Sequence, residues 1–168
     1  MIGTIIKHYF KMKTFKTILL TLAVIFFFIA CNPTHEYGEY YSGTLSVVTN
    51  DISLEEPCVE VSLGIYSNKK MDLTIYDVKF TETMPKINIR ATDFIAKKTK
   101  NGYVLSLPKG GIIPFSCDAI YLKKIETLQQ YQIKEFDGII TTTPKEFRFT
   151  MLCGEHKVVF EGCTYTIK

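Results

Sequence analysis

FRFTMLCGEHKVVF, residues 147–160, contains the clearest fold signal of this 168-residue chain. Apolar and polar side chains alternate over residues 147–151, which is the pattern of a strand with one buried face. Turn-forming residues then separate this run from a second apolar run that ends at residue 160. The stretch therefore predicts an antiparallel hairpin with Glu155 and His156 as its two-residue loop, which leaves the imidazole of His156 exposed.

Shorter segments of the same kind recur upstream and are separated by turn residues. In one of them the alternation slips near Tyr76 and Asp77, which indicates a β-bulge or a sharp bend. Between residues 121 and 136, apolar residues recur at helical spacing, so a helix is the alternative to a strand there. The pattern as a whole predicts an all-β, antiparallel domain. The predicted strands cover residues 43–48, 59–65, 71–80, 87–90, 103–107 and 138–143.

The first 30 residues have the order of a signal peptide and are set apart from the fold. Four lysines and no acidic residue precede an uncharged apolar run, TILLTLAVIFFFIA, residues 17–30. Because a complete signal begins at Met12, the eleven residues before it are interpreted as an upstream start-site artefact. Removing residues 1–30 leaves 16 basic and 17 acidic residues, so the formal charge falls from +3 to −1. A body without clustered cations does not favour nucleic-acid binding.

The end of the signal, Phe28-Ile29-Ala30-Cys31, resembles the lipobox of bacterial lipoproteins. The resemblance implies transfer of diacylglycerol to the Cys31 sulfur and cleavage between Ala30 and Cys31. Two or three acyl chains, each contributing about 0.8 kcal/mol per buried CH₂, anchor a protein stably to a membrane. The alternatives are an ordinary secretory signal with Cys31 incidental, or an uncleaved anchor helix.

Residues 31–40 are polar, contain Pro33 and Gly38, and lack a helical or alternating period, so they predict a short flexible tether. Asn32 stands where the inner-membrane retention signal of lipoproteins has Asp, which favours the outer membrane. Whether the body faces the periplasm or the medium stays open. Residues 41–168 then form one domain of ordinary size.

The body resembles the calycin-like family of small Gram-negative lipoproteins over most of residues 40–166. The family's domain is an open, lipocalin-related β-barrel, so the resemblance implies a single open barrel of about eight strands, without catalytic residues. The resemblance is carried by four segments, YSGTL (41–45), LTIYDVKF (73–80) followed by Met84-Pro85, FDGII (136–140) and VVFEG (158–162).

The sequence does not indicate an enzyme, a metal site or a cofactor. His156 is the one histidine in the body, whereas nucleophilic catalysis needs a positioned base and zinc needs several ligands at short spacing. Glu55-Glu56 beside Pro57 is interpreted as a solvated loop. Lys109-Gly110-Gly111 lacks the spacing of a phosphate-binding motif and is interpreted as a turn.

The body contains four cysteines, an even number that permits two disulfides in an exported protein: Cys58, Cys117, Cys153 and Cys163. The predicted hairpin places Cys153 opposite Val158 and Cys163 opposite Arg148, about 16 Å apart along the ladder. This distance exceeds the limit of ~7 Å between Cα atoms of a bridge, so Cys153 is not expected to pair with Cys163. Any bridge is then expected to join Cys153 or Cys163 to Cys58 or Cys117, and four buried free thiols are the alternative.

Two functions follow from these features. The first is a lipid-anchored binding module that holds a small apolar or amphipathic ligand among the many Phe and Tyr rings of its barrel. The second is a structural or interaction protein with a filled core that docks to an envelope partner. A ligand-sized interior cavity favours the first function, and a packed interior favours the second.

Overall fold

The computed structural model describes residues 35–164. All strand pairs are antiparallel, and these residues include no α-helix. The elements are β1 His35–Thr49, β2 Ile52–Tyr66, β3 Lys70–Val78, β4 Ile87–Thr99, β5 Gly102–Ser106, β6 Phe115–Cys117, β7 Lys124–Thr127, a 3-10 helix Gln129–Tyr131, β8 Ile133–Thr142, β9 Lys145–Cys153 and β10 His156–Thr164.

Eight of the strands form a barrel. Their order is β3-β2-β1-β10-β9-β8-β5-β4, and β3 also pairs with β4. The predicted barrel of about eight antiparallel strands is therefore confirmed, and the β3–β4 ladder closes the sheet where an open barrel was expected. The remaining strands, β6 and β7, form a hairpin that is attached to the first half of β4.

The barrel begins earlier than the sequence predicts. β1 starts at His35, so residues 35–40 belong to a strand and not to a flexible tether. The hydroxyl of Tyr37 lies 2.6 Å from that of Tyr41, and the Tyr37 ring packs 5.5 Å from the ring of Tyr103. Contacts between tyrosines do not produce an alternation of apolar and polar residues, so the sequence pattern did not predict this part of β1. The predicted signal peptide, Cys31 and the tether residues before His35 lie outside the described residues.

The segment around residues 121–136 contains no α-helix. It forms β7, the 3-10 helix and the start of β8, so the helical alternative is wrong. The predicted bulge near Tyr76 and Asp77 is confirmed, because the β3–β4 register shifts between Ile75 and Val78 and Asp77 has a φ of 48°.

The last hairpin is present, but its two-residue loop lies one residue earlier than predicted, so the pairing of the two strands is shifted by two residues. Cys153 faces His156, so the loop residues are Gly154 and Glu155. Gly154 has a φ of +64°, a conformation that glycine adopts without strain. Because the glycine occupies the loop, His156 becomes the first residue of β10 and is buried, which corrects the exposed turn histidine of the sequence analysis.

Phenylalanine rings fill the barrel interior. Phe149 lies at their centre, with ring centroids 5.2 Å from Phe147, 5.4 Å from Phe160 and 5.6 Å from Phe136. The Phe136 ring in turn lies 4.4 Å from Phe94. All five side chains are buried, so the rings continue from one wall of the barrel to the other.

Two facing glycines allow β1 and β10 to approach closely. Gly43 pairs with Gly162, and a Cβ atom on Gly43 would lie 2.1 Å from the carbonyl oxygen of Glu161. A Cβ atom on Gly162 would lie 2.6 Å from Cζ of Phe160. Glycines at such positions permit the sharp coiling that a small barrel needs.

Candidate functional site on the outer wall of the barrel

One end of the barrel is closed by a cluster of side chains. The imidazole of His156 stacks on Phe80 with ring centroids 5.2 Å apart and lies 5.6 Å from the ring of Tyr131. Its Nδ1 is hydrogen-bonded to the hydroxyl of Thr49 at 2.5 Å. The hydroxyl of Tyr131 donates to the sulfur of Met84 at 3.3 Å. We call these five residues the end cluster.

Burial lowers the pKa of His156, and the nearby carboxylate of Glu155 partly offsets this effect. The neutral imidazole is thus the form that the end cluster favours. His156 is buried among aromatic side chains, and its Nδ1 is occupied by the Thr49 hydroxyl, so its position suits packing better than proton transfer to a bound molecule.

The outer wall carries a depression that we call the apolar groove, with a volume of about 420 Å³. It lies across β5, β8, β9 and β10, and Val104, Ile139 and Val159 supply apolar side chains to it. Ile139 is 55% exposed, although it is a large apolar residue in the middle of a sheet. The rim is charged and carries Asp137, Glu146, Arg148 and Glu161.

The net charge of this rim is negative. Arg148 is its one cation, and its Nη2 lies 3.3 Å from Oε2 of Glu146. The carboxylates of Asp137 and Glu161 have no ion-pair partner within residues 35–164 at salt-bridge distance. The groove thus offers an apolar floor with an acidic border.

A second depression, which we call the outer pocket, has a volume of about 300 Å³ and lies across β1 to β4 on the other half of the barrel. Nη2 of Arg90 is bonded to Oδ2 of Asp72 at 2.7 Å, and the hydroxyl of Tyr66 donates to the same oxygen at 3.1 Å. The ring of His35 lies 4.3 Å from that of Tyr66. Leu122, from the loop between β6 and β7, completes the lining.

The electrostatics of the outer pocket are close to neutral, because Arg90 compensates Asp72 and Lys145 is paired with Glu39, which also lines the pocket. Burial raises the pKa of Tyr66, and the adjacent Asp72 carboxylate raises it further. Nε of Arg90 is buried and has no acceptor among the described residues. The pocket can therefore hold a polar group, but it lacks a nucleophile paired with a base.

The four body cysteines are free thiols in the structure. Cys153 faces His156 and Cys163 faces Glu146, so the two lie seven residues apart along β9, or about 23 Å. The predicted partners, Val158 and Arg148, were wrong because of the hairpin register. The thiol of Cys153 donates to the carbonyl oxygen of Tyr131 at 3.1 Å, and burial raises its pKa to about 12.

The remaining sequence candidates do not assemble into a catalytic site. Glu55 and Glu56 lie within β2 and not in a loop, so that interpretation is wrong; Oε1 of Glu56 lies 3.3 Å from Nζ of Lys86. Lys109-Gly110-Gly111 forms a turn, as predicted. Residues 35–164 contain no group of three His, Cys, Asp or Glu side chains that could hold a metal ion.

Sequence reasoning located neither the apolar groove nor the outer pocket. The groove is lined by side chains from four strands, and the pocket by side chains from four strands and one loop. Val104 and Ile139 interrupt the polar face of their strands, and this was the one sequence signal for the groove. The chain matches no family model, no curated protein and no solved structure. The resemblance to calycin-like lipoproteins therefore stays a prediction. Among the described residues, no helix is long and apolar enough to cross a membrane.

Proposed function

We propose that this protein is a lipid-anchored protein of the outer membrane that binds an envelope protein through the apolar groove. The main support is the ring-filled interior around Phe149, since a packed interior favours an interaction protein over a carrier with an internal ligand. The anchor is the diacylglycerol expected on Cys31. Neither the groove nor the outer pocket combines a nucleophile with a base, which supports a binding role and not catalysis.

The groove suits a partner segment of definite chemistry. Its apolar floor favours Leu-, Ile- or Val-type side chains, while Asp137 and Glu161 on the rim favour flanking Lys or Arg. The expected partner is therefore an amphipathic segment with basic residues beside its apolar ones. Charged rims of this kind chiefly raise the association rate and the specificity.

The anchor is tested by growing cells with a labelled fatty acid. We expect label on the wild-type protein, no label on Cys31→Ala, and release of that variant from the membrane fraction. An unlabelled wild-type protein would remove the anchor from the proposal.

The groove is tested by a photo-crosslinking amino acid placed at position 139 in cells, with position 52 as the matched control. Both Ile139 and Ile52 are exposed isoleucines on strands, but only Ile139 lines the groove. We expect a discrete adduct through position 139, joined to a segment with apolar and basic residues. A Val104→Glu substitution should remove this adduct, and an adduct that persists would argue against the groove.

The volume of the groove favours a second candidate, a small amphipathic ligand bound at the same place. A volume of about 420 Å³ lies within the range of small-molecule sites. Dodecyl amphiphiles with cationic, neutral and anionic heads distinguish this function, because the acidic rim predicts saturable binding in that order. If none of these amphiphiles bound saturably and the adduct through position 139 formed, a protein partner would be favoured over a small ligand.

A further inference from the structure

The loop between β6 and β7 exposes large apolar side chains. We call residues 118–123 the hairpin tip. Ile120 is 81% exposed and Tyr121 is 77% exposed, while Ile125, on the neighbouring β7, is 71% exposed. Grouped exposed apolar residues on a soluble surface mark sites of interaction with a protein or a membrane.

The hairpin tip is held in a fixed conformation by one carboxylate. Asp118 accepts the backbone N–H groups of Ile120 at 3.1 Å, Tyr121 at 2.6 Å and Lys123 at 2.8 Å. The hydrogen bonds from these N–H groups lower the pKa of Asp118, so the carboxylate stays ionised. The apolar side chains are thus presented outward by an ordered turn and do not fold back onto the barrel.

Two lysines border these apolar residues. Nζ of Lys123 lies 5.6 Å from the ring centroid of Tyr121, and Nζ of Lys124 lies 5.9 Å from that of Phe115. Tyrosine is enriched at the membrane interface, where its ring is buried and its hydroxyl stays hydrated. Lysines beside a bilayer extend their amines toward the headgroups, and here Lys123 and Lys124 offset the charges of Asp118 and Glu126 in the same hairpin. This composition favours a lipid surface over a protein.

The hairpin tip and the start of the barrel lie on the same side of the molecule. Leu122, within the tip, lines the outer pocket together with His35, the first described residue. Cys31 precedes His35 by four residues, and a fully extended chain of that length spans at most about 14 Å. Lipid on Cys31 would therefore bring the bilayer to the side of the barrel that carries the tip.

We propose that the hairpin tip inserts Ile120 and Tyr121 into the interface of the bilayer that holds the lipid on Cys31. The inference rests on the lipid anchor of the proposed function. It gives the barrel two attachments, the acyl chains and the tip, and so fixes its orientation on the membrane. The apolar groove lies on the half of the barrel made by β5, β8, β9 and β10, and it then faces away from β1 to β4 and the membrane.

Tryptophan fluorescence tests this inference directly, because the chain contains no Trp. Tyr121→Trp creates a single reporter in the hairpin tip, and Ile139→Trp creates the matched control in the apolar groove. Each full-length variant is purified with its lipid and placed in vesicles of phosphatidylethanolamine and phosphatidylglycerol that carry brominated acyl chains. Emission from Tyr121→Trp should shift to shorter wavelength and be strongly quenched when the vesicles are added, whereas emission from Ile139→Trp should keep its wavelength and stay unquenched.

The outcomes separate the inference from the proposed function. Label on Cys31 with unquenched emission from Tyr121→Trp overturns the membrane contact and leaves the anchor. Equal quenching of both reporters also overturns it, because the barrel then has no fixed orientation. Absence of lipid on Cys31 overturns the proposed anchor and this inference together. If the tip instead bound another protein, Tyr121→Trp would stay unquenched, because these vesicles contain no protein other than the variant.

Discussion

At the scale of single residues, the histidine in the end cluster has a predictable effect on stability. His156 is buried between aromatic rings, and its folded-state pKa is lowered from the usual value of 6.5. A base with a lowered folded pKa binds protons more weakly in the folded than in the unfolded protein. Above the unfolded-state pKa, His156 is neutral in both states and its protonation costs no stability. As the pH drops through the unfolded-state pKa toward the folded-state pKa, the unfolded protein binds the proton more readily and the free energy of unfolding falls.

We therefore expect the free energy of unfolding to decrease as the pH is lowered from about 7.5 to 5.5, the window in which an unfolded histidine becomes charged. The substitution His156→Phe removes the titrating imidazole and keeps an aromatic ring against Phe80. Urea titrations at several pH values should show a smaller slope of stability against pH for the variant. Identical slopes would mean that His156 does not experience the buried environment seen here.

The cysteines allow a second prediction at this scale. Cys58 and Cys163 are exposed, and Cys117 and Cys153 are buried, with the pKa of both buried thiols raised mainly by burial. Reduced protein should therefore take up maleimide at two sites in its native state and at all four body cysteines after unfolding. Peptide mapping identifies the labelled positions. Native labelling of Cys153 would contradict the burial of its thiol against Tyr131.

At the scale of elements, the close approach of β1 and β10 predicts a sharp difference between two glycines of the same strand. A Cβ atom at Gly43 would collide with backbone at 2.1 Å, whereas the nearest atom to a Cβ at Gly38 lies at 3.8 Å. Overpacking of this kind costs about 1–3 kcal/mol. Gly43→Ala should lose at least that much unfolding free energy, and Gly38→Ala should change little. Denaturant unfolding followed by circular dichroism measures both, and equal stability of the two variants would refute the close approach.

The elements also show which features of the fold a sequence can predict. The long strands β9 and β10 were predicted because their alternation is local, but their register was wrong because a positive φ at Gly154 decides the loop. β6 and β7 have three and four residues, too few to establish a period; β6 pairs with residues 88–90 of β4, and β7 pairs with β6. Such long-range pairing leaves no local pattern.

At the scale of the whole molecule, the candidate sites were beyond the sequence for a related reason. The apolar groove requires β5 to lie beside β8, and the outer pocket requires β1 and the β6–β7 loop to meet on one wall. Alternation identifies which side chains of a strand share a face, but it does not identify the neighbouring strand. The barrel class could be predicted, and the surface that it forms could not.

The filled interior gives the last prediction, which concerns the barrel as a unit. Phe149 contacts three other rings, so Phe149→Ala should leave a cavity and reduce the unfolding free energy by about 3–5 kcal/mol. An apolar cavity of this kind stays dry and binds molecules of the size of benzene. Because a ligand that binds only the folded state raises stability, saturating benzene should raise the melting temperature of Phe149→Ala.

Two controls make this experiment decisive for the proposed function. Thr150 is the exposed neighbour of Phe149 on β9, so Thr150→Ala should retain nearly wild-type stability and should not respond to benzene. The wild-type barrel should not respond either, because its rings already occupy the interior. If benzene stabilised the wild-type protein as much as Phe149→Ala, and if Val104→Glu in the apolar groove did not remove this effect, the interior would contain a cavity. An internal apolar ligand would then explain the barrel better than a partner on its outer wall.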